Sequence, residues 1–411
     1  MKKSFLLFLL CLVSFGAFSK KIKPGYWHTS FEINDSTSLP VTFLIEKTKK
    51  TYRVSVINAD ETIELRHFGQ TRDSLYVRFP GFGSELKCRI VSKKRVEGFW
   101  YNYAKGPNYR IPLIATQGYQ SRFPKMGSTI DATGKWEVTF DYEGAPEKAI
   151  GEFSALTTLC SYSQKNVIKG TFLTETGDYR YLEGVVSNDS LNLSSFDGSH
   201  AFLFQSKLND DTLWGQFYSG THYHVKWYAM RNPGFKLRDP DLLTYLINDT
   251  PLTLSLPDLS NKTYDYPNES TENTVTLIQI MGTWCPNCLD ESRYLKQKKE
   301  TFGNQLNIIS VAFEIPKTME GKIAKVQSFK NDLDLDFKFL IGGKASKGEA
   351  VERFPMLNKV ISFPTLIFID KSGKIRKIHT GFNGPGTGHH YNSYVEKTDQ
   401  FIEMLIAEDI N

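Results

Sequence analysis

The sequence predicts a multidomain protein: two tandem antiparallel β domains, each a barrel or sandwich, followed by an α/β domain. Three observations carry this reading. Over residues 25 to about 232, short strand patterns such as Val41-Thr42-Phe43-Leu44-Ile45 and Tyr52-Arg53-Val54-Ser55-Val56 are separated by turn signals. The same stretch repeats weakly. Gly25-Tyr26-Trp27 returns as Gly134-Lys135-Trp136, Asp73-Ser74-Leu75-Tyr76-Val77 as Asp189-Ser190-Leu191-Asn192-Leu193, and Gly98-Phe99-Trp100 as Gly215-Gln216-Phe217. Each copy, at roughly 100 residues, is long enough for a small β unit that buries alternate residues. Beyond Val275, apolar strand-like runs alternate with helical periodicity, the pattern of an α/β domain. A chain of 411 residues also exceeds what one core holds, since cores stop growing at roughly 250 to 300 residues.

Residues 1–19 read as a secretory leader: Lys2 and Lys3, an apolar run over 5–18, and Ala17-Phe18-Ser19 where a signal peptidase looks for small residues. Cys11 lies inside the run behind Leu10, a poor context for lipidation. The first β domain is expected over 20–120, the second over 121–235, a linker over 236–256 and the α/β domain over 257–411. Val275–Met281 is nearly unbroken apolar sequence, as in a strand covered on both faces. Helical spacing follows over Pro286–Phe302, then a strand at 308–313, a helix at 317–333 and a third strand at 337–341. Strands at 365–369 and 375–379 flank the turn Asp370-Lys371-Ser372-Gly373-Lys374, a hairpin. Tyr394, Val395, Thr398, Phe401, Ile402, Leu405 and Ile406 stand at the spacing of a last helix.

Apolar residues make up 40% and charged residues 23%, the balance of a soluble globular protein. The net charge of +5 includes Lys2 and Lys3 of the leader and is too weak to imply nucleic acid. After the leader no stretch nears the roughly 18 uninterrupted apolar residues of a spanning helix. The mature chain is therefore expected in the periplasm or cell envelope, soluble or held by an uncleaved N-terminal anchor. In an oxidising compartment an accessible cysteine pair is a redox device. Cys88 and Cys160 lie far apart in strand-like sequence and could be buried thiols or a bridge.

Cys285 and Cys288 are different, because Trp284-Cys285-Pro286-Asn287-Cys288 falls between a buried strand and a helix start. Pro286 suits the first helical position, where no amide donor is needed. The unpaired amides at that terminus favour a thiolate at Cys285, which makes it the expected nucleophile. Cys288, about one turn on, is placed to attack a mixed disulfide and release reduced substrate. A structural zinc site would need a second ligand pair, and His389-His390 come without another cysteine, so neither metal nor other cofactor is expected.

The order of strand, Gly282-Thr283-Trp284-Cys285-Pro286-Asn287-Cys288 and helix, then Ile361-Ser362-Phe363-Pro364-Thr365 opening a later strand, resembles the thioredoxin superfamily. More narrowly it is similar to the TlpA-like thiol-disulfide oxidoreductases of bacterial envelopes, over about residues 257–405, with Pro257-Asp258-Leu259 at the entry. In the β region, Phe196-Asp197-Gly198-Ser199-His200-Ala201-Phe202 and Trp227-Tyr228-Ala229-Met230-Arg231-Asn232 look like segments that accompany this domain in some exported relatives. The resemblance implies that Pro364 is cis and faces the cysteines, with Trp284, Phe363 and Pro364 forming a substrate wall. It also implies a membrane thiol electron donor and, as substrates, exported proteins with unwanted disulfides. One departure stands out: thioredoxins carry a buried aspartate six residues before the first cysteine, and here that position is Gln279. Glu291, which matches a glutamate of the TlpA-like reductases, is the candidate proton acceptor, and a solvated helix charge is its bland reading. Glu314, at the end of the second strand, is a weaker candidate for the same role and reads more readily as a loop residue.

Two rivals stay open. A thiol peroxidase shares the fold, although peroxiredoxins place threonine or serine where this chain has Gly282. Alternatively, the β domains bind a ligand or partner and the α/β domain only docks. Glycine-rich 381–388 lacks the Gly-Lys-Ser/Thr ending of a phosphate loop and reads as a flexible loop. His222 and His224 share one face of an expected strand but lack a third ligand, and read as structural.

Overall fold

The structure is a computed structural model that describes residues 21–49, 51–65, 67–128, 130–156 and 166–409. The expected leader, Cys11 and Cys160 lie outside the described residues. Two nine-stranded antiparallel sheets precede a five-stranded α/β sheet.

Both β sheets roll into barrel-like units, and the repeat explains why they match. In the first, Gly25–Asn34 pairs with Thr37–Lys47 on one side and with Arg110–Gln117 on the other, so the first and last strands of the copy lie together. In the second, Gly134–Phe140 pairs in the same way with Glu147–Ala155 and Tyr223–Arg231. The indole N–H groups of Trp27 and Trp136 each donate 3.0 Å to a carbonyl four residues upstream, Lys23 O and Ala132 O. These repeat tryptophans thus hold the start of each barrel to its own core.

The two sheets end differently. Glu61–Leu65 and His67–Gln70 are the ends of the first sheet. The second closes through Glu147–Ala155 and Val167–Thr174, and a two-residue strand, Gly177–Asp178, folds back on Leu173 and Thr174 as a tight hairpin. Closure satisfies backbone groups that would otherwise be open edges. The barrels also share a core. Phe196 of the second packs within 6.3 Å, ring centre to ring centre, of Phe31, Phe43, Phe79 and Trp100 of the first. Buried Arg122 donates to Ser194 O at 2.8 Å and Asn58 Oδ1 at 3.0 Å, which satisfies a cation that could not be buried alone.

In the α/β domain the strand order is Lys338–Lys344, Leu306–Glu314, Val275–Met281, Thr365–Ile369, Ile375–Thr380. The first three are parallel and the hairpin strands run antiparallel to them. Every residue of Val275–Met281 is buried, as its apolar run requires. The helices are α1 (Pro286–Phe302), α2 (Met319–Leu333), α3 (Lys347–Arg353) and α4 (His389–Ala407). The sequence reading did not foresee α3, a seven-residue helix too short to show apolar periodicity. Among the described residues no helix is long and apolar enough to cross a membrane.

Candidate functional site

Two strand ends set the site. The chain leaves Met281 at the end of the central strand and turns through Gly282–Trp284 into α1, while the neighbouring strand begins at Thr365, paired with Ile280. That register brings the Phe363-Pro364 segment against the start of α1. The Phe363–Pro364 bond is cis.

Cys285 is the N-cap of α1, with Pro286 in the first turn, and its Sγ accepts the Cys288 N–H at 3.3 Å. Its thiol donates to Phe363 O at 3.2 Å, so the sulfur lies between the helix start and the proline loop. Cys285 is 8% exposed, and Cys288 is fully buried behind it. Burial, then the hydrogen bond to Cys285, then the nearby Glu291 carboxyl push the Cys288 thiol well above its ordinary pKa. Trp284 packs edge-on against Phe363 and donates its indole N–H to Phe313 O at 3.0 Å.

Glu291 is not a solvated helix charge. It is fully buried, and Gln279 Nε2 donates to its Oε2 at 2.9 Å. Gln279 Nε2 also reaches Cys288 O at 3.3 Å, while its Oε1 accepts from Ser310 at 2.7 Å and Ser292 at 3.2 Å. Gln279 therefore holds the Glu291 carboxyl in the buried space beside Cys288. Burial pushes Glu291 up to about 8, against the hydrogen bond from Gln279. Among the described residues its Oε1 accepts no hydrogen bond.

Glu314 also departs from its loop reading. It closes its strand at 1% exposure and accepts from Thr283 N at 2.8 Å and Thr283 Oγ1 at 2.7 Å, bracing the turn two residues before Cys285. Burial pushes it up to about 7. A carboxylate ending a strand beside the cysteine loop was its only signal in the sequence.

In front of Cys285 lies a cleft of about 310 Å³ whose lining includes Trp284, Asn287, Ser362 and Phe363, and also Thr176, Tyr179 and His200 of the second barrel. The segment Phe196–Phe202, singled out in the sequence, sits at this junction. Phe196 plugs the first barrel, Asp197 pairs with Arg180, Ser199 Oγ donates to Trp284 O at 3.3 Å, and His200 lines the cleft. Arg180 is buried and ties all three units together. It bonds to Asp290 of α1, to Glu61 of the first barrel at 2.7 Å and to Asp197 at 3.5 Å. Burial works against the charge on Asp197, yet His200 and Arg180 hold that carboxyl down to about 2.

Other sequence candidates are brought elsewhere. His222 meets Lys105 and Tyr109, and burial with the Lys105 charge lowers it to about 4. His224 bonds to Gln216 and stacks on Tyr218. The two histidines thus have separate partners. His389 and His390 meet Glu152 of the second barrel, with His390 Nε2 at 3.1 Å from Glu152 Oε1, a contact joining α4 to that barrel. Cys88 is a buried free thiol, pushed up to about 12 by burial.

Comparison with known proteins falls on this region. A sequence model of the Redoxin family matches residues 247–395. The thioredoxin-like protein YneN of Bacillus subtilis (strain 168) is 27% identical over 128 residues, 30% of this chain and 69% of that protein. A thiol:disulfide interchange protein of the thioredoxin family from Chlorobium tepidum TLS is 16% identical, with 39% of this chain and 98% of that one covered and a TM-score of 0.30. A putative thiol:disulfide interchange protein DsbE from Chlorobium tepidum is 15% identical, with 40% and 100% covered and a TM-score of 0.31.

Proposed function

We propose, from the premise that the C-terminal α/β domain is a member of the thioredoxin superfamily, that this chain is an exported thiol-disulfide oxidoreductase that reduces disulfides of envelope proteins through Cys285 and Cys288. The observation that carries the reading is the stacking of the two thiols. Cys285 opens on a cleft at the start of α1, and Cys288 is sealed behind it within reach of the same sulfur.

In this reading Cys285 thiolate attacks one sulfur of the substrate disulfide. The substrate S–S bond breaks, and the departing thiolate takes a proton from solvent. Cys288 then loses its proton to ionised Glu291 and attacks Cys285 Sγ. That step frees the second substrate thiolate and leaves a Cys285–Cys288 disulfide, a two-electron oxidation of the pair. Trp284, Phe363 and Pro364 form the wall against which the substrate lies, and a membrane thiol donor returns the two electrons.

The test is a Cys288→Ala trap. With the resolving thiol gone, Cys285 should accumulate mixed disulfides with exported proteins, identified by mass spectrometry after non-reducing separation. Absence of adducts on Cys285→Ser, alongside abundant adducts on Cys288→Ala, is the expected pattern. Equal adducts on both would place the reactive thiol elsewhere and end the proposal.

A further inference from the structure

The cleft before Cys285 has a wall that the redox domain does not supply. It comes from the second barrel's hairpin, residues 174–179, and it is fixed in place. Ser362 Oγ, two residues before Pro364, donates to Thr176 O at 2.8 Å, and Gly384 N donates to Asp178 Oδ2 at 2.7 Å. Arg180, just past the turn, bonds to Asp290 on α1.

Glycines on both partners allow this contact. Gly177 has φ +149°, and a Cβ there would lie 1.9 Å from Asn287 Nδ2. Gly381 has φ +80°, and its Cβ would lie 2.9 Å from the Thr176 carbonyl carbon. A side chain at Gly177 would displace the end of Asn287, whereas one at Gly381 would press on the Thr176 backbone itself and push the hairpin off the redox domain. The glycine-rich segment 381–388, expected to be a flexible loop, is instead the seat on which the hairpin rests.

We propose that this hairpin is a specificity element: it restricts Cys285 to disulfides carried on an extended, unstructured peptide segment and excludes those set in a folded surface. The proposal rests on the disulfide-exchange reading and adds the substrate class to it. Cys285 is only 8% exposed and lines a cleft of about 310 Å³. That volume is at the low end for ligand clefts and holds a cysteine with a neighbour or two of one chain. A folded surface carries flanking strands about 5 Å to either side of its cysteine. Here those flanks would have to pass Thr176 of the hairpin and Trp284 of the redox domain, which both line the cleft with Cys285. Thr174, His200, Glu147 and Lys347 also line the cleft and offer donors and acceptors to a peptide backbone, beside the apolar faces of Trp284, Ile361 and Phe363.

The test uses the full chain, reduced, in single turnovers with three disulfides. These are an unstructured peptide joined to a second copy through one cysteine, glutathione disulfide, and a folded protein with a solvent-exposed disulfide. Each rate is divided by that substrate's rate with dithiothreitol. The proposal expects the folded protein to react at least about 100-fold slower than the peptide. It expects Gly381→Val, which lifts the hairpin, to raise the folded-to-peptide ratio at least about tenfold. If the wild-type chain reduces the folded protein within about tenfold of the peptide, the proposal is wrong, whatever the variant does. A glutathione rate more than about 100-fold above the peptide rate would also overturn it, because the site would then be built for a small disulfide. Failure of all three substrates would instead remove the exchange reading beneath it.

Discussion

The two sides of Cys285 are built on opposite terms. Behind it lie Cys288, Gln279 and Glu291, fully buried, on the helix and central strand of a single domain. In front lie Thr176, His200 and Ser362 around an open cleft, where two domains meet through side chain to backbone bonds and charge. A dry pocket strengthens each electrostatic interaction inside it and makes pKa values easy to shift, whereas a wetted cleft does neither. The difference teaches a division of labour. In the proposed function, proton handling falls to the rear face and substrate access to the front, so substitutions on the two faces should move different observables.

Arg180 tests that separation most severely, because it clamps the front wall to α1. Arg180→Ala leaves Asp290, Asp197 and Glu61 without their shared cation in a buried setting. Removing one partner of such a cluster costs about 3 to 5 kcal/mol, so urea unfolding should show a large loss of stability. In the folded variant the rate at which Cys288 resolves a mixed disulfide should stay within about threefold of the wild type. A resolving rate that falls with stability would show that the two faces are not separable.

Glu291 tests the rear face, with an effect on rate about as large as a general base supplies. Glu291→Gln keeps the shape and the bond from Gln279 but removes the proposed proton acceptor, and the resolving step should slow roughly 100-fold. With a carboxyl pushed up to about 8, the ionised fraction of Glu291 rises about tenfold between pH 7 and pH 9. Wild-type resolution measured by stopped flow should climb through that window and level off above it, whereas the slower variant should keep rising with pH as Cys288 itself ionises.

Stability carries the opposite slope. The native state holds the Glu291 proton that the unfolded chain releases near 4.5, so its contribution is present below that pH, is lost as pH rises toward about 8 and then levels off. Glu314 and Asp178, raised by burial to about 7 and about 6, slope the same way. Glu291→Gln should therefore flatten part of the decline between pH 5 and pH 8 and leave part behind.

The rear face was largely legible in the sequence and the front was not, for a physical reason. A strand apolar throughout, a proline at a helix start and a glutamate one turn past Cys288 are local signals, and they gave α1, the central strand and the cysteine pair. The barrels were legible through Trp27 and Trp136, whose equivalent indole bonds need only local sequence. The hairpin was not, since Gly177–Asp178 is two residues long and has no alternation to read. Nor could sequence spacing bring Thr176 to Ser362 or Arg180 to Asp290, since these contacts exist only once separate units dock. Glycines 381, 384 and 386 did announce something. They read as a mobile loop because close backbone approach and chain flexibility leave the same mark on a sequence.

Ser362 gives the smallest test and the sharpest for the front wall. Its hydroxyl donates to Thr176 O, and Ser362→Ala removes that one bond at the rim of the cleft. A single neutral hydrogen bond is worth about 1 kcal/mol, so global stability should fall by about that amount or less. The hairpin keeps its bond to Gly384 and the Arg180–Asp290 pair, so it should loosen locally rather than leave. Amide hydrogen exchange should then rise at 174–179 while α1 stays as protected as in the wild type. If α1 loses protection in step with the hairpin, the front wall and the proton-handling core open as one unit, and access to Cys285 is then governed by the same equilibrium that exposes Cys288.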